Sequence, residues 1–188
     1  GIVTLQQHIE EAVGRFVAHP VRIHCAGRTD KGVHATSQVI HFDTDAKRPF
    51  FAWLKGVNCY LPRYISVRWA LEVNAQFHAR FSAKRRRYCY LIYNNTQRLG
   101  LYHSYFTWEY KPLNAQAMHR AAQTLVGQHD FSSFRASSCQ ADSPIRTIEH
   151  ITIARQGDVI SLDIKADGFL YHMVRNIMGA LLPIGRGE

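Results

Sequence analysis

The sequence predicts an α+β protein built of two similar halves. Three observations carry this. Apolar residues recur at helical spacing in separate parts of the 188-residue chain, alternating runs follow them, and turn residues stand between the runs. The order is helix then paired strands, given twice without a strict sequence repeat. We place the division at residue 95, with an N-terminal half over 1–95 and a C-terminal half over 96–188.

The elements follow in chain order. Thr4-x-x-Gln7 reads as a capping box, and Leu5, Ile9, Ala12, Val13 and Phe16 continue a helix to His19-Pro20. Strands are expected over 22–26, 37–42 and 65–73, and again over 87–94, where Asn94-Asn95 marks a turn. Asn114 caps a second helix, with Ala117, Met118, Ala121, Ala122 and Leu125 facing inward and Gly127 at its end. Two more strands, 149–154 and 159–166, flank the turn Gln156-Gly157-Asp158. A third helix runs from 170 to 182, apolar nearly all round, and stops at Pro183 and Gly185.

A net charge of +9 and a pI near 9.7 favour a polyanionic partner, nucleic acid before membrane. The apolar run 169–184 contains His172, Arg175 and Asn176, which makes it a poor membrane span. Cys25, Cys59, Cys89 and Cys139 form no C-x-x-C pair, so no metal is expected. With no signal peptide before them, reduced thiols and a cytoplasmic location are expected.

Three constellations could carry chemistry. In Gly27-Arg28-Thr29-Asp30-Lys31-Gly32-Val33-His34-Ala35 one carboxylate stands among cations on a glycine-flexed turn. Neighbouring positive charge keeps it ionised, and so competent as nucleophile or base. Phosphoryl transfer would want a magnesium site with a second carboxylate, and a phosphate-binding loop would want Ser or Thr after Lys31; neither is present. The second constellation, 77–90, holds five cations and four aromatics in fourteen residues, suited to phosphates and stacked bases. The third is 169–176. On a helix, His172, Arg175 and Asn176 would share a stripe, and a cation within an apolar helix would need a buried acceptor; Asp30, Asp163 and Asp167 are candidates. His129 reads as structural, and no glycine fingerprint for a nucleotide cofactor occurs.

Taken together, these blocks resemble the TruA family of tRNA pseudouridine synthases. The likeness also covers Gly56-Val57-Asn58, Leu61-Pro62, Gly127-Gln128-His129-Asp130-Phe131 and Ser133-Phe134-Arg135, and so spans essentially the whole chain. It implies two ferredoxin-like halves forming a central, mostly antiparallel sheet, with helices on one face and a cleft between the halves. It implies isomerisation of uridine to pseudouridine in the tRNA anticodon stem-loop, at about positions 38–40, by a homodimer that needs neither metal nor organic cofactor. On this likeness Asp30 is the catalytic residue. Tyr88 stacks on the target base, Arg28 holds the flipped nucleotide and its phosphates, and Arg175 pairs with the carboxylate. Lys31, His34, Arg80, Lys84, Arg85, Arg86 and Arg87 are the RNA-binding candidates. Three routes stay open for the carboxylate: attack on the sugar C1′, addition to the base C6, or removal of a sugar proton.

Members usually open with a strand bearing Tyr-Asp-Gly and continue past the last helix with an apolar active-site residue. This sequence carries neither, so both ends are expected to be missing, with sheet edges left open. A different reading follows from that loss: a non-catalytic tRNA-binding fragment. A basic structural protein of a ribonucleoprotein ranks behind both, because it would not need the acid, cation and aromatic set.

Overall fold

The computed structural model describes residues 3–188, and its four helices and seven strands form an α+β protein. The chain separates into two compact units, the first running to Ala83 and the second spanning Lys84–Glu188.

In the first unit, α1 (Leu5–Val17) starts where expected, and the Thr4 hydroxyl accepts the Gln7 N–H at 3.2 Å. The capping box is half made, because the Gln7 side chain runs forward to Glu11. Ala12, Val13 and Val17 of α1 bury against Val57 of α2 (Phe50–Tyr60), a helix that the sequence reading did not foresee. Gly56 makes this packing possible, since a Cβ there would lie 2.1 Å from the Phe16 ring. The expected strands 22–26 and 37–42 shrink to β1 (His24–Cys25) and β2 (Ile40–His41), paired antiparallel. Pairing continues for one more backbone bond, Ala26 N–H to the Val39 carbonyl at 2.9 Å. The Gln38 amide then replaces backbone by donating to the Gly27 carbonyl at 2.6 Å. No strand forms over 65–73. There the Asn58 amide exchanges two 2.8 Å bonds with the Val67 backbone, doing what a neighbouring strand would have done.

The second unit is one five-stranded sheet ordered β4-β3-β7-β6-β5. Its strands are β3 (Arg86–Asn94), β4 (Thr107–Glu109), β5 (Gly127–Asp130), β6 (Ile145–Gln156) and β7 (Val159–Ala166). All pairs are antiparallel except β3 with β4. β4 and β5 are additions to the expected set. One face of the sheet is apolar: Ile92, Ile148, Ile151, Ile153, Ile160, Leu162 and Ile164 pack with Met118, Met173, Ile177, Met178 and Leu181. Those methionines, Ile177 and Leu181 come from α3 (Ala115–Ala122) and α4 (Met173–Arg186), so both helices cover the same face. The Asn114 side chain caps α3 at 3.0 Å, but the helix tightens to a 3-10 turn after Ala122, and Gly127 opens β5.

α4 corrects the expectation at both ends. It starts later, at Met173, after His172 in the left-handed region, and it runs through Pro183 to a left-handed Gly187 cap. Proline costs the helix the bond to the carbonyl one turn back, at Gly179; that residue is exposed, so water can replace the lost partner. The helix is also one-sided, burying Met173, Ile177, Met178, Leu181 and Gly185. Among the described residues no helix is long and apolar enough to cross a membrane.

Candidate active site

Asp30 lies in the loop that joins β1 to β2. Its carbonyl accepts the Val33 N–H at 3.0 Å, and Gly32, third in this four-residue turn, has φ +82. A positive φ at that position alone is the signature of a type II turn, which explains a glycine there. Asp30 is half-buried, while Arg28, Lys31 and His34 are exposed around it. The loop is thus closed at its base, turned by Gly32, and edged with positive charge.

Its base rests on three histidines. His24 and His41 are directly opposed in the β1–β2 ladder, with rings stacked 5.0 Å apart. The His78 ring stands 4.5 Å from His41 and 5.5 Å from His24. His41 Nδ1 accepts the Ala79 N–H at 3.1 Å, and His78 Nδ1 accepts the N–H groups of Arg80 and Phe81 at 3.2 and 3.4 Å. Burial, reinforced by His78 and His24, pushes the His41 ring below the usual histidine value; Asp43 and the His24 backbone oppose the shift. The 77–82 turn therefore lies against the two strands that flank the Asp30 loop. None of the three histidines was among the candidate residues. The signal was the position of His24 and His41 in the runs entering and leaving the loop.

Arg80 is exposed, its guanidinium 5.6 Å from the Phe81 ring. The remaining cations of that constellation belong to the second unit, and most are engaged. Arg87 binds Asp163 through two nitrogens, Arg85 pairs with Glu149, and Lys165 meets Glu149 at 3.2 Å. Arg86 donates to the Asp167 carbonyl at 2.9 Å, and Lys84 is exposed. The strand is therefore less positive at its surface than its sequence suggests. These pairs are exposed and hence weak, so a phosphate can compete for the arginines.

Tyr88 is half-buried on β3, its ring edge-on to Phe169 at 5.0 Å. Arg175 is exposed in the first turn of α4, so the expectation of a cation buried in an apolar helix is corrected. It turns away from the buried stripe, and His172 precedes the helix with its ring stacked on Tyr171 at 3.9 Å. The Asn176 amide donates to the Phe134 carbonyl at 2.9 Å. An arginine at a helix N-terminus opposes the helix dipole, and together they make an electropositive corner suited to an anion.

The sequence profile of a family described as tRNA pseudouridine synthase matches residues 2–82 and 121–188. Arg28, Asp30 and Arg175 fall inside the matched segments, and Tyr88 lies between them. The tRNA pseudouridine synthase A of Pseudoalteromonas atlantica is 55% identical over 187 residues, which is all of this chain and 71% of that protein. The tRNA pseudouridine synthase A of Aeromonas hydrophila is 52% identical over 99% of this chain and 69% of its own length. That of Photobacterium profundum is 50% identical over 98% and 71%.

Proposed function

The chain belongs to the tRNA pseudouridine synthase family, whose members are isomerases, and on that premise we propose that it converts uridine to pseudouridine in the anticodon stem-loop of tRNA with Asp30 as its catalytic carboxylate. The observation that carries the assignment of Asp30 is its setting. A half-buried carboxylate opens a glycine-dependent turn on a loop closed at its base and edged by Arg28, Lys31 and His34.

The net reaction adds and removes nothing. The bond from N1 of uracil to C1′ breaks, the ring turns, C5 bonds to C1′, and the proton on C5 is given up as N1 gains one. In this reading the Asp30 carboxylate serves the cleavage step, on a turn edged by Arg28, Lys31 and His34. Tyr88 offers the flipped base a ring, steadied by Phe169, and its phenolic oxygen is the candidate proton acceptor. Arg28 holds the extruded nucleotide by its phosphates, and Arg175, exposed in the first turn of α4, is the cation that the family likeness assigns to the carboxylate. Each unit offers the tRNA backbone its own cations: Lys31, His34 and Arg80 in the first, and those of 84–87 in the second. In this reading the working enzyme is a cytoplasmic homodimer.

The test is incubation of the chain with an unmodified anticodon arm, mapping of pseudouridine by carbodiimide labelling, and the same with Asp30→Asn. Product from the parent and none from the variant is expected. Salt-sensitive tRNA binding with no product from either protein would support an RNA-binding chain instead.

A further inference from the structure

We propose that His24, His41 and His78 form a latch that positions the Asp30 loop, shut while the His41 ring is neutral and released when that ring gains a proton. The inference rests on the assignment of Asp30 above and adds to it three positioning residues and a pH dependence.

The ladder at the loop base is short. The strands β1 and β2 have two residues each, and the bonds beyond them include one backbone bond, the Gln38 amide and the Arg68 guanidinium donating to the Thr36 carbonyl at 3.5 Å. Against this short ladder lies the turn carrying Phe77-His78-Ala79-Arg80-Phe81-Ser82. That turn is tied to itself, with His78 N–H donating to the Ser82 hydroxyl at 3.0 Å and Ser82 N–H to the His78 carbonyl at 2.7 Å. It is tied to β2 by the Ala79 N–H donated to His41 Nδ1 at 3.1 Å. Ala79 is only 3% exposed, so its N–H has no ready substitute in water.

An imidazole nitrogen accepts a hydrogen bond only when it carries no proton. His41 must therefore be neutral with its proton on Nε2, and His78 must likewise keep Nδ1 bare for Arg80 and Phe81. Protonation turns each acceptor into a donor facing a donor. It also sets a cation against two further imidazoles, at ring separations of 4.5–5.5 Å. The groups facing His41 are His24 from β1, His78 from the 77–82 turn, and Asp43 beyond β2, of which only Asp43 favours the charged ring. Burial and the two histidines win, and the ring is held below its ordinary 6.5. The folded state then binds fewer protons than the unfolded chain. The latch is at full strength above pH 6.5 and is lost as pH falls through the lowered value of the folded ring.

The test follows the ring nitrogens and the Val33 amide of the intact chain by 15N NMR between pH 8 and pH 5, beside pseudouridine formation over the same range. The parent should show His41 with its proton on Nε2 at pH 7. The Val33 amide, which donates to Asp30, should shift with the His41 midpoint, and kcat/KM should fall about tenfold per pH unit below it. His41→Asn keeps an acceptor for Ala79 but cannot titrate; the Val33 shift and the acid limb should both lose that midpoint. A Val33 amide that stays flat while His41 titrates, or a His41 ring charged at pH 7, overturns the latch. Coupled Val33 and His41 titrations in a chain that makes no pseudouridine would uphold the latch and refute the role of Asp30. Activity without the coupling would do the reverse.

Discussion

Arg87 on β3 and Asp163 on β7 meet as a two-pronged ion pair, Nε to Oδ1 at 2.8 Å and Nη2 to Oδ2 at 2.5 Å. The two strands run antiparallel with Arg87 opposite Lys165 and Cys89 opposite Asp163, so the pair spans a diagonal of the ladder. Hydrogen bonds from Arg87 hold the Asp163 carboxyl below its ordinary 3.8. Its contribution is present above that value and is lost only as pH falls through the still lower folded value, so the pair is intact throughout the neutral range.

This pair limits how much charge the strand offers to RNA. Asp163→Asn leaves Arg87 its full charge, and tRNA binding should tighten several-fold at low salt. The slope of log K against log salt should steepen by about one, the release of roughly one more counterion. Binding titrations at several salt concentrations check this. An unchanged slope would show that Arg87 meets no phosphate.

Tyr88 separates packing from chemistry. Tyr88→Phe keeps the edge-on contact with Phe169, so thermal stability should hold while isomerisation drops. Phe169→Leu leaves the hydroxyl but removes the ring that orients it, at a cost of about 0.5–1.5 kcal/mol from the aromatic contact. Melting curves beside single-turnover rates distinguish the two, and equal losses of rate and stability in Tyr88→Phe would make the residue a structural one.

The elements that read correctly from sequence are those whose signals are local. Thr4 caps α1, Asn114 caps α3, and Gln156-Gly157-Asp158 turns β6 into β7. α2 gave no such signal. Pro49 precedes it without a side-chain cap, and its aromatic residues Phe50, Phe51 and Tyr60 face outward, which blurs helical periodicity. The segment 65–73 misled for the opposite reason. Ile65, Val67, Trp69, Leu71 and Val73 alternate as a strand does, yet Trp69 and Leu71 are exposed and the Val67 backbone is held by an asparagine side chain. The Asp30 loop was legible because its residues are contiguous. The histidine stack was not, because tertiary pairing brings His24, His41 and His78 together from three separate places.

Gly32 tests whether the turn under Asp30 must be held in one shape. Its φ of +82 disfavours any side chain, and a Cβ there would meet nothing within 4 Å. Gly32→Ala therefore adds backbone strain of about 1–2 kcal/mol without a clash. Because the loop is exposed, the strain should be relieved locally. Isomerisation should fall at least tenfold while the melting temperature moves little, and Gly32→Asn, which tolerates the left-handed region better, should recover part of the loss. Equal activity in all three proteins would mean that the turn does not position the carboxylate.

Gly56 tests the packing of α2 on α1 in the same unit. A Cβ at this position would fall 2.1 Å from Cε2 and 2.4 Å from Cδ2 of Phe16, whose ring also lies edge-on to Trp53 at 5.1 Å. Gly56→Ala gains helix propensity worth about 1 kcal/mol but must move an aromatic ring already packed on its other side. The core where α1 meets α2 has few fully buried residues with which to absorb the shift: Ala12, Val13, Val17 and Val57. Overpacking should win, for a net loss of about 1–2 kcal/mol. Phe16→Leu alone should also destabilise, by removing ring contacts. The double variant should be more stable than the sum of the two losses, because the smaller side chain makes room for the new methyl. Urea unfolding of the four proteins measures this. Simple additivity would place the cost of Gly56→Ala in the α2 backbone instead of its contact with α1.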